Sequence, residues 1–340
     1  MSVVVIIAIL FGLNYSSRAE HCSISQFSDT QVGTDRSRYG KITMLYGDRS
    51  DTTYQTFDRA LQTHAHHARR HNYQHHVLDR EVVEGVWSKT FYLISLLVAQ
   101  LSKADHLEWL VWSDADTVLI NSEIPLDIFT PATDDLLFQD VMLVMARDQW
   151  GMNSGHFFIR VHPKSVHILT RAFAYPFSHE KEFASRRGHR IRDQLALELL
   201  IQDPSYQKHV LWAPSSWFNP RFFEIRPGAM CGHFYSDENR TAHMQEWMAK
   251  QDQDANRLQI PYEETFYPEE VEHWWRLNKD CRRTLTDTRK VVNEKKGNES
   301  LSKSLSTMEE ACLWHSDNTT QLDGILRQVK QEIELLHLTS

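Results

Sequence analysis

The sequence predicts an α/β protein, with a mainly parallel, doubly wound sheet flanked by helices and a helical C-terminal appendage. Three observations lead there. Strand-like and helix-like patterns alternate from Ile42 to Ala146. An apolar run, Leu107 to Trp112, breaks off into two carboxylates one residue apart, Asp114 and Asp116. An apolar content of 41% over 340 residues is ample for the core of one large domain with appendages.

At the start, Met1 to Leu13 is apolar and is followed by Ser16, Ser17, Arg18 and Ala19. The run is shorter than the roughly 20 residues of a membrane-spanning helix and fits a signal-peptide core with small residues before a cut. A remnant of a longer type II anchor fits as well, and both place the chain in the secretory pathway. Cys22, Cys231, Cys281 and Cys312 are even in number and widely spaced, which excludes a CxxC metal site and allows three disulfide pairings. Asn14, Asn239, Asn298 and Asn318 each open an Asn-x-Ser/Thr acceptor, in keeping with luminal exposure. A net charge of −8 argues against nucleic acid as a partner.

The polar stretch to residue 40 reads as a linker. Ile42 to Tyr46 is the first core strand, with Gly47 and Asp48 as its turn. Thr52 to His71 has helical spacing, with Tyr54, Phe57 or Asp58, Leu61 and Ala65 as its stripe, and Tyr73 to Leu78 is a second strand. His64, His66, His67, His71, His75 and His76 lack the fixed convergence a zinc site needs and predict a solvated histidine-rich face. Trp87 to Leu101 is an amphipathic helix, with Trp87, Phe91, Ile94, Leu97 or Val98, and Leu101 on one side. Leu107 to Trp112 then reads as a strand buried on both faces.

After it, Pro125 to Phe129 is a packed turn and Val141 to Ala146 another buried strand. Gly151 and Gly155 bracket a polar turn leading into a strand at Phe157, and Arg192-Asp193-Gln194 opens a helix. The expected domain is 41–255, followed by an aromatic packing segment, 256–283. A charged, poorly packed and partly helical tail, 284–340, ends in a helix whose apolar spacing allows self-association.

If the buried strand stops at Ser113, Asp114 and Asp116 lie at its carboxyl end, where open α/β sheets bind ligands. Two carboxylates on one side repel each other unless a cation lies between them. Their hard oxygens suit Mn²⁺ or Mg²⁺ held together with substrate phosphates. Asn153-Ser154-Gly155 can present amide and side-chain groups to a sugar, and Cys231-Gly232-His233-Phe234 carries a histidine able to complete the metal site.

The order Trp87-Ser-Lys89, Glu108-Trp-Leu-Val-Trp-Ser-Asp-Ala-Asp-Thr, Asn153-Ser-Gly155, Asp193-Gln194 and His233-Phe234 resembles glycosyltransferase family 34. That family comprises fungal α-galactosyl- and α-1,6-mannosyltransferases and the related plant xyloglucan xylosyltransferases. The resemblance implies a GT-A fold and a retaining, metal-dependent hexosyltransfer from a nucleotide sugar to a glycan acceptor in the Golgi lumen. It implies a metal held by Asp114, Asp116 and His233, and a donor and acceptor site lined by Asn153, Ser154, Gly155, Asp193 and Gln194, the last two in catalytic roles. Lys89 and Arg240 would contact the diphosphate. Where the family continues after His-Phe with a small Ala-Gly pair, this chain has Tyr235-Ser236-Asp237-Glu238. The other readings are an inactive, carbohydrate-binding relative and a metal-dependent phosphoester hydrolase.

Overall fold

A computed structural model describes residues 38–188, 191–294 and 299–338. The expected leader, most of the linker, Asn14, Cys22 and Asn298 lie outside the described residues. Six strands, β1 (Tyr39–Met44), β2 (Gln74–Leu78), β3 (Trp109–Ser113), β5 (Leu143–Asp148), β6 (Gly151–Arg160) and β7 (Val210–Trp212), form a sheet in the order β2-β1-β3-β6-β5-β7. All pairs are parallel except those made by β6, which runs antiparallel to β3 and β5. Beyond β3, the short β4 (Thr117–Leu119) pairs antiparallel with β8 (Cys231–His233). This is the mainly parallel, helix-flanked sheet that the sequence predicts.

The two faces of β3 explain its unbroken apolar run. Leu110 and Trp112 point into a core shared with α2 (Trp87–Leu101), α3 (Pro163–Ser178) and α5 (Arg192–Ile201), and α4 (Glu180–Arg187) lies between the last two in the chain. Trp109 and Val111 point the other way, into a core with Phe129, Trp217, Tyr267 and Trp274. Each buried large side chain here contributes on the order of 2 kcal/mol. Tyr267 and Trp274 begin α7 (Tyr267–Glu294), so the aromatic segment packs rather than projects.

Helix α1 (Thr52–Arg70) forms where expected, capped by Asp51, but it buries a different stripe from the predicted one. Thr56, Ala60, His64 and His67 face inward, so the solvated histidine face is corrected: His64 and His67 are buried. His67 uses Nε2 on the Ile124 carbonyl at 2.8 Å and accepts from Lys41 Nζ at Nδ1, 2.9 Å away. His64 Nε2 meets the Thr117 carbonyl at 3.2 Å. Carbonyls of β4 and of the segment after it let imidazoles take core positions. In α2 the buried side runs through Thr90, Leu93, Leu97 and Gln100, and Val98 is exposed.

The polar turn also moves. β5 and β6 form a hairpin whose turn lies at Asp148–Gly151, with Gly151 at φ 117°, a region that favours glycine. Asn153, Ser154 and Gly155 therefore belong to β6. A bulge between Val144 and Ala146 shifts the register, and β6 begins beyond the end of β3, beside Asp114.

α7 runs through the expected boundary at 284 and packs with α8 (Glu299–Trp314) and α9 (Thr319–Leu338) around Leu285, Met308, Leu322, Leu326 and Val329. The tail is thus well packed, contrary to expectation, and the apolar face of its last helix is used within the chain. Of the charged residues that suggested otherwise, Arg289, Lys290 and Glu294 lie exposed on α7. A Cys281–Cys312 disulfide crosslinks α7 to α8, and Cys231 is a buried thiol. Among the described residues, no helix is long and apolar enough to cross a membrane.

Two measurements check this packing. Replacing both Cys281 and Cys312 by Ser should lower stability by about 3–4 kcal/mol, the loop-closure entropy of a crosslink of this span, read as a reduced urea midpoint. Burial lowers the Lys41 ammonium to about 7, whereas in the unfolded chain it stays near its usual ~10.4. Between these values the unfolded state holds more protons, so stability rises with pH across that window. Denaturation at pH 7 and pH 9.5 should show this gain in the wild type and its loss in Lys41→Met.

Candidate metal and donor site

The carboxylates leave β3 in a tight turn held from several sides. The Asp114 amide donates to the Gly155 carbonyl at 2.7 Å, and the Thr117 hydroxyl donates to the Asp114 carbonyl at 2.7 Å. His64 of α1 buttresses the same threonine. Asp114 Oδ1 accepts from the Trp112 indole at 2.6 Å and from Lys89 Nζ at 3.2 Å. Lys89 also donates to the Ser154 carbonyl at 2.6 Å and to its hydroxyl at 3.3 Å. Its three donors are thereby committed, and the buried lysine ties Asp114 to β6.

Asp116 is more enclosed. Its Oδ2 accepts from Arg240 Nη1 at 2.9 Å, and its Oδ1 lies 3.2 Å from His233 Nε2. Burial alone would raise this carboxyl, but His233 in its protonated form and then Arg240 hold it down at about 2, so Asp116 stays ionised at neutral pH. Arg240 extends from α6 (Arg240–Gln253), and 40% of its side chain is exposed.

A directional chain of hydrogen bonds decides which His233 nitrogen faces the carboxylates. The Gly155 amide can only donate, so the Asn153 atom it meets at 2.9 Å is Oδ1. Asn153 Nδ2 then donates to Asp148 Oδ2 at 3.0 Å. Asn219 Nδ2 donates to the same Asn153 Oδ1 at 3.1 Å, which turns Asn219 Oδ1 toward His233 Nδ1 at 2.7 Å. Nδ1 therefore carries a proton, and Nε2 faces Asp116 Oδ1, donating to it when the ring is charged and presenting its lone pair when the ring is neutral. Two acceptors 3.2 Å apart repel unless a proton or a cation joins them.

Ligand atoms of Asp114, Asp116 and His233 all lie within 4.8 Å of one another. Two carboxylates and one imidazole with an open side fit Mn²⁺ or Mg²⁺, and the partly exposed Asp114 leaves room for substrate oxygens. Gly155 makes the arrangement possible: a Cβ there would lie 1.9 Å from His233 Cε1.

The other predicted residues gather around this centre. Gln194 Oε1 accepts from the Ser154 amide at 2.9 Å and from its hydroxyl at 3.1 Å. Asp193, one residue earlier at the start of α5, is buried with Oδ1 unpartnered; burial raises its carboxyl and Lys89 counters part of the rise. Asn153 is turned to Asp148 and Asn219, and Gly155 seats the His233 ring. Sequence reasoning missed Asn219, Asp148 and the Trp112 indole. Asn219 sits in Asn-Pro at the end of a short helix, Ser215–Phe218, which hinted at a turn but not at its partner.

The chain matches no protein-family model and no curated protein. Among solved structures, a glycosyltransferase involved in glycosylation of the major capsid of PBCV-1 is similar over 61% of this chain and 99% of its own, at 13% identity and a TM-score of 0.46. Mouse xyloside xylosyltransferase 1 is similar over 53% of this chain and 86% of its own, at 12% identity and a TM-score of 0.31. A Drosophila β-1,4-galactosyltransferase 7 variant in complex with manganese, UDP-galactose and xylobiose is similar over 59% and 73%, at 11% identity and a TM-score of 0.30.

Removing the support of a ligating imidazole weakens a metal site about 10- to 100-fold. Asn219→Ala should do so here, read as Mn²⁺ affinity by electron paramagnetic resonance, with the fold intact by circular dichroism.

Proposed function

We propose that this protein is a metal-dependent, retaining glycosyltransferase related to family 34, moving a hexosyl group, galactose or mannose, from a nucleotide sugar to a glycan acceptor. The observation that carries the reading is the convergence of His233 Nε2 on Asp116 Oδ1, with Asp114 beside them at the carboxyl end of β3. A divalent ion bound there supplies neutralisation of the charge that develops on the departing nucleoside diphosphate.

The chain's own groups then have distinct tasks. Lys89 and Trp112 fix one oxygen of Asp114, leaving the other for the ion. Arg240 holds Asp116 through Nη1 while its side chain stays 40% exposed, within reach of a phosphate. Asp193 and Gln194, at the start of α5 with Gln194 bonded to Ser154, stabilise the positive charge on the sugar as its bond to the diphosphate breaks. The acceptor hydroxyl enters on the face the diphosphate leaves, and the diphosphate takes its proton, which preserves the anomeric configuration.

A luminal, Golgi location is part of the proposal, supported by the Cys281–Cys312 disulfide and by exposed acceptors at Asn239 and Asn318.

The test is nucleotide release from a panel of nucleotide sugars with Mn²⁺, with and without mannoside and galactoside acceptors. Release from one donor, increased by an acceptor and reduced at least ~100-fold in Asp116→Asn, is expected, since the substitution removes a ligand charge from the transition state. Release indifferent to every acceptor would favour hydrolysis. Mn²⁺ binding without release from any donor would favour a carbohydrate-binding relative.

A further inference from the structure

An aromatic platform stands beside the metal site, built from segments that the reaction chemistry does not use. Trp150, in the β5–β6 turn, is 57% exposed, and Phe223 is 60% exposed. Between them lies Arg221, its guanidinium carbon 4.9 Å from the Trp150 ring centre, 4.5 Å from that of Phe223 and 5.3 Å from that of Tyr235. Such stacking holds a cation in place without neutralising it. Among the described residues no carboxylate forms an ion pair with this guanidinium, and its Nε is buried without a hydrogen-bond partner.

Tyr235 joins the platform to the chemistry. Its ring lies 4.5 Å from that of His233 and 6.4 Å, edge to face, from that of Trp150. Asp148 fixes the arrangement, accepting from the Trp150 amide at 2.7 Å and from the Tyr235 hydroxyl. The platform lies on the β5–β6 side of the carboxylates, away from β1 and β2 in the sheet order. Tyr235 is also the position at which the chain departs from the small residue that its resemblance would call for.

Two large aromatic rings kept in water near the carboxylates expose apolar area at a cost, a pattern that marks recognition surfaces. Pyranose rings present flat C–H faces that pack on aromatic rings, and their edges carry oxygens that an unpaired guanidinium can bind in pairs. We propose that Trp150, Phe223 and Arg221 form the subsite that holds the acceptor glycan, stacking one pyranose and binding its edge oxygens through Arg221. The proposal rests on the transferase reading, since it assigns the platform to that enzyme's second substrate.

Saturation-transfer NMR with methyl α-mannopyranoside, lactose, cellobiose and glucuronic acid tests it on the full protein, in the presence of Mn²⁺ and UDP or GDP. At least one sugar should bind, with affinity lowered about tenfold or more in Trp150→Ala and Arg221→Ala and largely kept in Trp150→Phe. A preference for glucuronic acid would identify the edge group as a carboxylate, and a preference for a neutral glycoside would identify hydroxyls. Sugar binding unchanged in both alanine variants, or no sugar bound, overturns the proposal. So does a self-association, measured by sedimentation, that Trp150→Ala abolishes, which would make the platform a protein-docking surface. Mn²⁺-dependent binding of the nucleotide, recorded in the same samples, tells the two failures apart: if it persists, the transferase reading stands without this subsite.

Discussion

The site depends on one missing atom. Without a Cβ at Gly155, the His233 imidazole lies directly against β6, and its Nδ1 proton is taken by Asn219. That single close approach explains why β6 must run past the end of β3, why β8 must align beside β4, and why Asn153 and Asn219 are buried amides rather than apolar residues. A histidine presented without this backing would be free to turn its protonated nitrogen toward the carboxylates. The rigid chain of amides sets the ligand's tautomer before any ion arrives.

The surrounding charges are balanced with similar care. Lys89 holds one oxygen of Asp114 and Arg240 one oxygen of Asp116, so a cationic side chain fixes one oxygen of each carboxylate, while the other oxygen of Asp116 faces His233. The fold therefore tolerates two adjacent acids, while the remaining oxygens stay unpaired enough to attract a cation. The turn that carries them rests on His64, so the buried face of α1 supports the chemistry.

What could be read in the sequence follows from which forces were local. β3 was legible because burial on both faces leaves an unbroken apolar run, and Asp114 and Asp116 were legible because they interrupt it. α1 and α2 were legible as helices, but the inward stripe of α1 was not: His64 and His67 are buried on carbonyls of Thr117 in β4 and Ile124 after it, partners no periodicity reveals. Gly155 was noticed for the wrong reason, as the end of a turn, because its purpose is a ring contributed 78 residues later, the separation from Gly155 to His233. Asn219 was invisible because its role exists only through Asn153. The tail looked poorly packed because exposed residues such as Arg289, Lys290 and Glu294 are charged, whereas its core residues recur at helical intervals across three separate helices.

One hydroxyl in that tail has a consequence of its own. Ser316 accepts from the Trp212 amide at 3.0 Å and donates to the Trp212 carbonyl at 2.8 Å, and Trp212 lies on β7, the outermost strand of the sheet. A serine side chain thus imitates the neighbour that β7 lacks, and Trp314 stacks over the same residue. Unprotected borders of this kind recruit matching borders on other molecules. The helical tail is accordingly a selvedge: it finishes the sheet where weaving would otherwise continue, and stripping it would leave an edge on which one copy of the chain could zip to the next.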